Sequence, residues 1–407
     1  MKSLWSRLRF SPAWRSSLFF FVLWAAMAAF APFKNVYLNH LGLTSLEISL
    51  LNIFAPLMTL FAAPALSMLA DRRRWRKRLL VAGLGGVALL QALYGVPKTF
   101  LGLLPIALLL ATISSAIMPI SNSLVARMAQ RHHLDFGNLR LWGSLSFALG
   151  SLLLGTLWER HGFDAMFITS ALTFLPVTLL ALTLEESPAQ RVQERGDLRR
   201  VVEDKGLLAL LAAMFLYGVA ESLYVNFAGV YMDNLGGGQQ LVGALFGFSA
   251  LAELPSMRYS GDLARKIGRP SAVLIGYTVM MAAYIGYALS SNPTFLLACG
   301  VLRGFGFGLS YAVAVALVDA RAPETWSSTL QSLMLAISWG LAPLLTLPLG
   351  GWLADLFGLS VVFLGAGLAQ TVAIGILLWA ILGDKFAKAP LLRVSSCCEQ
   401  AAAAIKH

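Results

Sequence analysis

Residues 33–42 read FKNVYLNHLG and residues 227–236 read FAGVYMDNLG, so five of the ten positions are the same at an offset of 194 residues. Three more pairs of similar segments follow in the same order at nearly the same offset. These pairs are Leu69-Ala70 with Leu263-Ala264, Trp142-Gly143 with Trp339-Gly340, and Gly155-x-Leu157-x-Glu159-x-x-Gly162 with Gly351-x-Leu353-x-Asp355-x-x-Gly358. Four matches in one order indicate that the chain contains an internal repeat.

The composition around these repeats is typical of a membrane protein. Of the 407 residues, 58% are hydrophobic and 13% are charged, and the mean hydropathy is +0.72. Soluble domains carry about 25% charged residues, and disordered chains need low hydrophobicity, so both classes are excluded. A helix needs about 20 mostly apolar residues to cross a membrane. Windows of that length predict twelve spans, near 16–38, 46–69, 79–97, 100–126, 138–158, 163–184, 206–232, 240–258, 271–290, 294–318, 328–353 and 359–382.

The basic residues predict how these spans are oriented. All but five of the 31 Lys and Arg lie in the two tails or in the loops after even-numbered spans. Cytoplasmic loops are enriched in Lys and Arg, so we expect both termini in the cytoplasm and the chain in the plasma membrane, the inner membrane of a bacterium. The net charge of +11 is then expected to contact membrane lipid, and no nucleic acid is expected as a partner.

The repeat and the loop lengths predict the domain organisation. We expect an N-terminal six-helix half at 1–184, a cytoplasmic linker at 185–205, a C-terminal six-helix half at 206–384 and a mobile cytoplasmic tail at 385–407. Six spans separate the two copies, so the halves have the same orientation and are parallel repeats about an axis along the membrane normal. The fold class is therefore an all-α membrane protein of twelve helices, and such halves enclose a site near the membrane midplane.

A second repeated motif follows spans 2 and 8. The first copy is Ser67-Met68-Leu69-Ala70-Asp71-Arg72, and the second is Gly261-Asp262-Leu263-Ala264-Arg265-Lys266-Ile267-Gly268-Arg269. Together with the twelve spans, these copies resemble the major facilitator superfamily, whose loop pattern is G-x-L-A-D-R-x-G-R. The resemblance implies the major facilitator fold and a conformational latch at the cytoplasmic face. Its residues here are Asp71, Arg72, Arg265 and Lys266.

A narrower resemblance depends on three segments, which are 134–144 (LDFGNLRLWGS), Pro32-Phe33 and Ala252-Glu253. They are similar to the proton symporters of the lactose permease and phenylpropionate permease type. The resemblance implies that Asn122, Arg140 and Phe147 border one cavity and bind the solute. Asn122 stands where that family has a carboxylate, and Phe147 stands where it has Trp.

Charged residues inside the spans are further candidates. A charge at the centre of a membrane helix costs about 2.5–3.5 kcal/mol, so such a residue usually faces a cavity or a partner. Glu253 in span 8 is the candidate proton-coupling group, with Glu221 in span 7 as either a second coupling group or a structural ion pair. Arg303 in span 10 is expected to pair with one of these Glu residues. Lys34, near the outer end of span 1, is expected to extend to the interface.

These features predict a secondary transporter that imports a small organic solute by proton symport with alternating access. The solute is a sugar, a nucleoside or an aromatic or organic acid. A proton-coupled efflux antiporter is the alternative, although span 5 lacks the Pro of the antiporter motif. A non-transporting sensor or scaffold is a third possibility, but the longest predicted loop has only about 21 residues.

The remaining expectations are absences and partners. The sequence has no catalytic constellation, no ATP-binding motif and no metal-ligand spacing, so we expect no enzyme, no cofactor and no metal. The expected partners are a small-molecule substrate, protons and membrane lipid. We expect the chain to act as a monomer.

Overall fold

The computed structural model describes residues 11–186, 204–321 and 327–386, and these form helices and no strands. Most of the predicted linker and all but the first two residues of the predicted tail lie outside the described residues. Ten helical stretches in the described part are long and apolar enough to cross a membrane. One of these stretches contains two spans, which makes eleven. Span 8 is the twelfth; it is helical, but its charged residues keep it out of the ten apolar stretches. The twelve-helix prediction is confirmed.

The spans have the following bounds in the structure. They are Pro12–His40 (span 1), Ser45–Arg73 (span 2), Arg76–Tyr94 (span 3), Phe100–Arg131 (span 4), Phe136–Ala181 (spans 5 and 6), Lys205–Asn234 (span 7), Gly238–Ile267 (span 8), Arg269–Leu289 (span 9), Pro293–Arg321 (span 10), Leu330–Phe357 (span 11) and Leu359–Leu382 (span 12).

Spans 5 and 6 form a single helical run of 46 residues that one glycine interrupts. An unbroken helix of that length would measure about 70 Å, far more than the roughly 30 Å thickness of the bilayer core. The break is at Gly162, where φ is 73° and ψ is 177°. Gly358 has φ 85° and ψ 166° between spans 11 and 12. The last glycine of the repeated segment therefore recurs because both turns need a positive φ, which glycine adopts readily.

Helix packing between the halves follows the same two-fold pattern. Span 5 packs against span 8 of the other half, and span 2 packs against span 11. The largest buried side chains are aromatic and include Trp158, Tyr284 and Tyr287. Large apolar side chains such as Leu101 and Leu382 are exposed, as expected for residues that face lipid tails rather than water.

The two ends of the helix bundle differ in their contacts. We call the end that carries Asp71–Arg78 and Arg265–Arg269 the basic end, and the opposite one the far end. At the far end, spans 1 and 7 of the two halves bind each other. Asn39 donates to Asn234 at 2.9 Å, and His40 lies 2.6 Å from Asp233. The far end is therefore closed.

At the basic end, ion pairs join spans of the same half. Arg131 of span 4 lies 2.9 Å from Glu185, which follows span 6. Partial burial opposes the charge of Glu185, but hydrogen bonds from His132 and Arg131 outweigh this effect and hold the pKa of Glu185 below its ordinary value. In the other half, Arg321 of span 10 lies 2.8 Å from Asp204, which caps span 7. These contacts stabilise each half separately.

Gly358→Ala is expected to lower the free energy of unfolding by about 1–3 kcal/mol, because residues with a Cβ rarely adopt its φ of 85° with ψ of 166°. No atom beyond the two neighbouring residues lies within 4 Å of the added Cβ, so only the backbone conformation should matter. Gly365→Ala is the matched control, since Gly365 lies in span 12 with equally open space around its added Cβ. Thermal unfolding of the two purified variants measures the difference. Equal midpoints would contradict the assignment.

Candidate functional site

A cavity of about 2170 Å³ lies between the two halves and opens at the basic end. Asp135 and Arg258 are at its mouth, whereas Ala31 and Pro32 line it near the closed far end. Spans 1, 2, 4 and 5 form one wall, and spans 7, 8, 10 and 11 form the other. The cavity therefore has the central position that two parallel halves predict.

The N-terminal wall contains all three residues that the sequence predicts for solute binding. Asn122, Arg140 and Phe147 line the cavity, and the ring of Phe147 meets Trp24 edge to face, with 6.0 Å between the ring centroids. Arg140 and Phe147 lie seven residues apart, about two helical turns, and so share one face of span 5. Arg140 is exposed to the cavity, and no described side chain forms a hydrogen bond or ion pair with it. Its guanidinium is accessible to a ligand and acts electrostatically on Glu253 of the opposite wall.

The C-terminal wall contains a buried cation between two carboxylates. Arg303 of span 10 is 5% exposed. Its Nε donates to Glu221 at 3.2 Å, and a second guanidinium nitrogen forms an ion pair with the same carboxylate. Its Nη1 donates to Glu253 at 3.0 Å and to Ser249 at 3.3 Å. The expected pairing of Arg303 is present, and it involves both Glu residues.

Aromatic side chains complete the surroundings of this charged triad. The guanidinium carbon of Arg303 lies 4.6 Å from the ring centre of Tyr224 and 4.7 Å from that of Phe307. Tyr284 donates its hydroxyl hydrogen to Glu221 at 3.0 Å. Arg303 is thus held by cation–π contacts as well as by ion pairs, and Glu221 has partners on both oxygens.

Two glycines on span 10 allow this arrangement. A Cβ at Gly304 would lie 2.7 Å from the carbonyl carbon of Ser249, and a Cβ at Gly308 would lie 2.6 Å from the carbonyl oxygen of Glu253. Spans 8 and 10 can approach this closely only because these positions have no side chain. The close approach brings Glu253 within hydrogen-bond reach of Arg303.

The two carboxylates differ in their access to the cavity. The side chain of Glu221 is 2% exposed, whereas that of Glu253 is 18% exposed and lines the cavity. The triad has a net charge of −1 when both carboxylates are ionised and is neutral when one is protonated. Only Glu253 is placed to exchange a proton with cavity water. The site can therefore couple a proton to a change in the charge of its wall.

Lys34 turns inward, in contrast to the prediction that it extends to the membrane interface. Its ammonium donates to Asn52 at 2.5 Å, Asn52 donates to Asn35 at 3.0 Å, and Asn35 donates to the carbonyl of Asn226 at 2.9 Å. The sequence could not predict this series of hydrogen bonds, because its members come from spans 1, 2 and 7. It joins the two halves at the closed end of the cavity.

The four predicted latch residues do not bridge the halves in this conformation. Asp71 forms an ion pair with Arg76, and Arg265 forms one with Asp262 of its own helix. Arg72 and Lys266 are exposed. A latch at the basic end requires that end to be closed, so its role stays a prediction for a different conformation.

Sequence reasoning missed several cavity residues, among them Trp24 and Ser249. One signal was present in the repeated Trp-Gly pair, whose glycines make room for side chains of neighbouring spans. A Cβ at Gly143 would lie 2.8 Å from the indole nitrogen of Trp24, and a Cβ at Gly340 would lie 2.7 Å from Leu60. Both Trp24 and Leu60 line the cavity, so the glycines mark its walls.

Arg303→Met is expected to lower the free energy of unfolding by about 3–5 kcal/mol, because it leaves two carboxylates without their buried counter-charge. The triple variant Arg303→Met, Glu221→Gln, Glu253→Gln removes the unpaired charges and should recover most of this loss. Arg258→Met at the exposed mouth is the control and should change little. Thermal unfolding of purified protein tests this, and a wild-type midpoint for Arg303→Met alone would contradict it.

Comparisons with known proteins agree with this architecture. The chain is 29% identical over 364 residues to a maltose permease of Geobacillus stearothermophilus, which covers 89% of this chain and 92% of the relative. It is 26% identical over 314 residues to a probable 3-phenylpropionic acid transporter of Escherichia coli (strain K12), covering 75% and 82%. Its fold is similar to the crystal structure of the nucleoside transporter NupG, with a TM-score of 0.79 at 13% identity over 91% of this chain and 99% of that one.

A family model assigns the chain directly. The model described as "MFS_1 like family" matches residues 13–365, which include most of both halves. The family and the relatives are transporters, so the prediction that the chain is not an enzyme is confirmed. The chain spans a membrane, is a secondary transporter of a small molecule, and belongs to the MFS_1-like family of the major facilitator superfamily.

Proposed function

We propose that this chain is a proton symporter that imports a small sugar or sugar-like solute by alternating access. The observation that carries the proposal is the position of Glu253, which lines the cavity opposite the predicted solute residues and binds the buried Arg303. The maltose permease that shares 29% identity with the chain supports a sugar. Glucose, maltose, a nucleoside and 3-phenylpropionate form the panel that tests this choice.

We further propose that the basic end faces the cytoplasm of a bacterial cell. Six basic residues in Asp71–Arg78 favour that side. The cavity then opens to the cytoplasm while the far end is sealed toward the outside. This conformation is the one from which an importer releases its solute.

The N-terminal wall is suited to a sugar ring. Arg140 offers a planar fork of donors to hydroxyl oxygens, and the Asn122 amide has both a donor and an acceptor. The rings of Phe147 and Trp24 offer apolar surface for the C–H face of a sugar. These four side chains are proposed to select the solute.

The C-terminal wall is proposed to carry the proton. With both carboxylates ionised the triad has a net charge of −1 and attracts Arg140, which acts on Glu253 from the opposite wall of the cavity. Protonation of Glu253 leaves Arg303 and Glu221 as a neutral pair and ends this attraction, so Arg140 is released to the solute and the loaded cavity can close and reopen on the other side. Binding of the solute and binding of the proton are linked in this way, since both are needed for the loaded cavity to close.

Glu253→Gln is expected to keep solute exchange across the membrane but to lose accumulation driven by a pH gradient. The amide resembles the protonated acid and cannot release a proton, so the coupled step disappears while the cavity keeps its shape. Radiolabelled uptake and counterflow in proteoliposomes separate the two activities. Glu221→Gln is the comparison and should keep more accumulation, because Glu221 has little access to the cavity.

The outcomes of this experiment separate the alternatives. Accumulation by Glu253→Gln with a wild-type pH response would contradict Glu253 as the proton site. If neither variant is uncoupled, proton symport itself is wrong. Uptake that is driven only by an outward proton gradient, with the inside of the vesicle acidic, would instead identify a solute/proton antiporter.

Arg140→Lys is expected to weaken solute binding about tenfold or more, because Lys keeps the charge but loses the bidentate fork. Folding and membrane insertion should stay near normal, since Arg140 forms no hydrogen bond or ion pair with a described side chain. Arg269→Lys, at an exposed position of the basic end outside the cavity lining, is the matched control. Titration calorimetry with the transported solute measures both variants. Unchanged affinity in Arg140→Lys would remove Arg140 from the solute site.

A further inference from the structure

The acidic residue of the repeated Gly-x-Leu-x-Asp/Glu segment binds backbone of the opposite half at the far end. Glu159, at the end of span 5, accepts hydrogen bonds from the backbone N–H groups of Gln239 at 2.5 Å and Gln240 at 3.3 Å. Asp355, at the end of span 11, accepts from Ser45 at 2.7 Å and Leu46 at 2.9 Å. One carboxylate from each half thus binds the beginning of a helix in the other.

The bound helix beginnings are favourable partners for a carboxylate. The first N–H groups of a helix have no partner within the helix, and the helix dipole places partial positive charge there. Gln239 and Gln240 begin span 8, and Ser45 and Leu46 begin span 2. Each carboxylate therefore satisfies two backbone donors that would otherwise need water or another side chain.

The first glycine of the same segment brings the helices close enough for these bonds. A Cβ at Gly155 would lie 2.7 Å from the carbonyl oxygen of Gln239, and a Cβ at Gly351 would lie 2.8 Å from the Cα atom of Leu46. The last glycine makes the turn to the next span, as described for Gly162 and Gly358. The first glycine and the acidic residue of the segment thus serve one contact between the halves, which is built twice.

We propose that Glu159 and Asp355 are the paired latches of a far-end gate, which hold the halves together there while the cavity is open at the basic end. To expose the cavity at the far end, span 5 must leave span 8 and span 11 must leave span 2, which breaks all four hydrogen bonds. The inference rests on the alternating access of the family. It does not depend on proton coupling or on the identity of the solute.

The chemistry of the two latches predicts different responses to substitution. Asp355 uses both of its oxygens, one for each N–H, so Asp355→Asn loses one acceptor and turns an amide donor toward a backbone donor. Glu159 uses a single oxygen for both bonds, so Glu159→Gln can keep them and loses only the charge. Glu159→Ala removes the acceptor altogether. We expect Asp355→Asn and Glu159→Ala to open the gate more than Glu159→Gln.

The experiment measures the separation of the halves at the far end by pulsed electron paramagnetic resonance in lipid nanodiscs. Spin labels are placed at Val96 and Ser291, which are exposed and lie in corresponding loops of the two halves, away from the latches. The chain is made free of Cys299, Cys397 and Cys398 first. The ratio of the longer to the shorter distance reports how often the far end opens, whichever way the protein faces in the membrane.

Asp355→Asn and Glu159→Ala are each expected to raise the open-to-closed ratio about tenfold, as for loss of a hydrogen bond to a charged group. The effects should multiply in the double variant, because the two sites share no partner. The control is Glu47→Gln, since Glu47 accepts from Thr44 at the beginning of the same span 2 but within its own half. Its distance distribution should match that of the unsubstituted labelled chain.

An unchanged distribution in the double variant would overturn the proposal, and the carboxylates would then be helix caps without a role in the gate. An equal shift in Glu47→Gln would also overturn it, because the effect would come from a weakened helix beginning rather than from the contact between halves. A shift in the double variant with a wild-type unfolding midpoint supports the gate. Failure of proton coupling in transport assays leaves all of these readings unaffected.

Discussion

The ion pairs of Arg303 with Glu221 and Glu253 are the interaction on which the proposed function depends. A guanidinium within the membrane is costly unless it is neutralised, and here two carboxylates and two aromatic rings surround it. Because the site has two carboxylates for one guanidinium, its net charge depends on whether one carboxylate is protonated. Glu221 is enclosed and balances the positive charge of Arg303, so the net charge of the site changes when Glu253 gains or loses a proton.

The two halves share a fold but have different tasks around one cavity. The N-terminal wall presents Arg140, which has no hydrogen bond or ion pair with a described side chain, together with Asn122 and aromatic rings, whereas the C-terminal wall presents the paired charges. The repeat is more complete at the far end, where the same Gly-x-Leu-x-Asp/Glu segment seals each side. The contacts that must open and close are thus the same in both halves, whereas the residues that bind ligands between the halves differ.

The sequence predicted the architecture because its signals are local or periodic. Apolar windows, basic loops and a constant offset predict twelve spans in two parallel halves, and rare charges within spans predict that Arg303 has an acidic partner. Contacts between the halves could not be predicted from these signals. The inward position of Lys34 and the backbone partners of Glu159 depend on which helices meet, and the sequence states this only indirectly. The charged residues of span 8 also depend on which helices meet, since these residues face the cavity and the basic end rather than lipid.

The most direct test of coupled import is the movement of protons that accompanies the solute. A solute that is shown by radiolabel to enter right-side-out membrane vesicles is added to a weakly buffered suspension without an imposed gradient, and the external pH is recorded. The account predicts a transient rise in external pH as protons enter with the solute, and no rise after a protonophore is added. Solute entry with a constant external pH would contradict proton symport, and a fall in pH would indicate exchange of solute for protons.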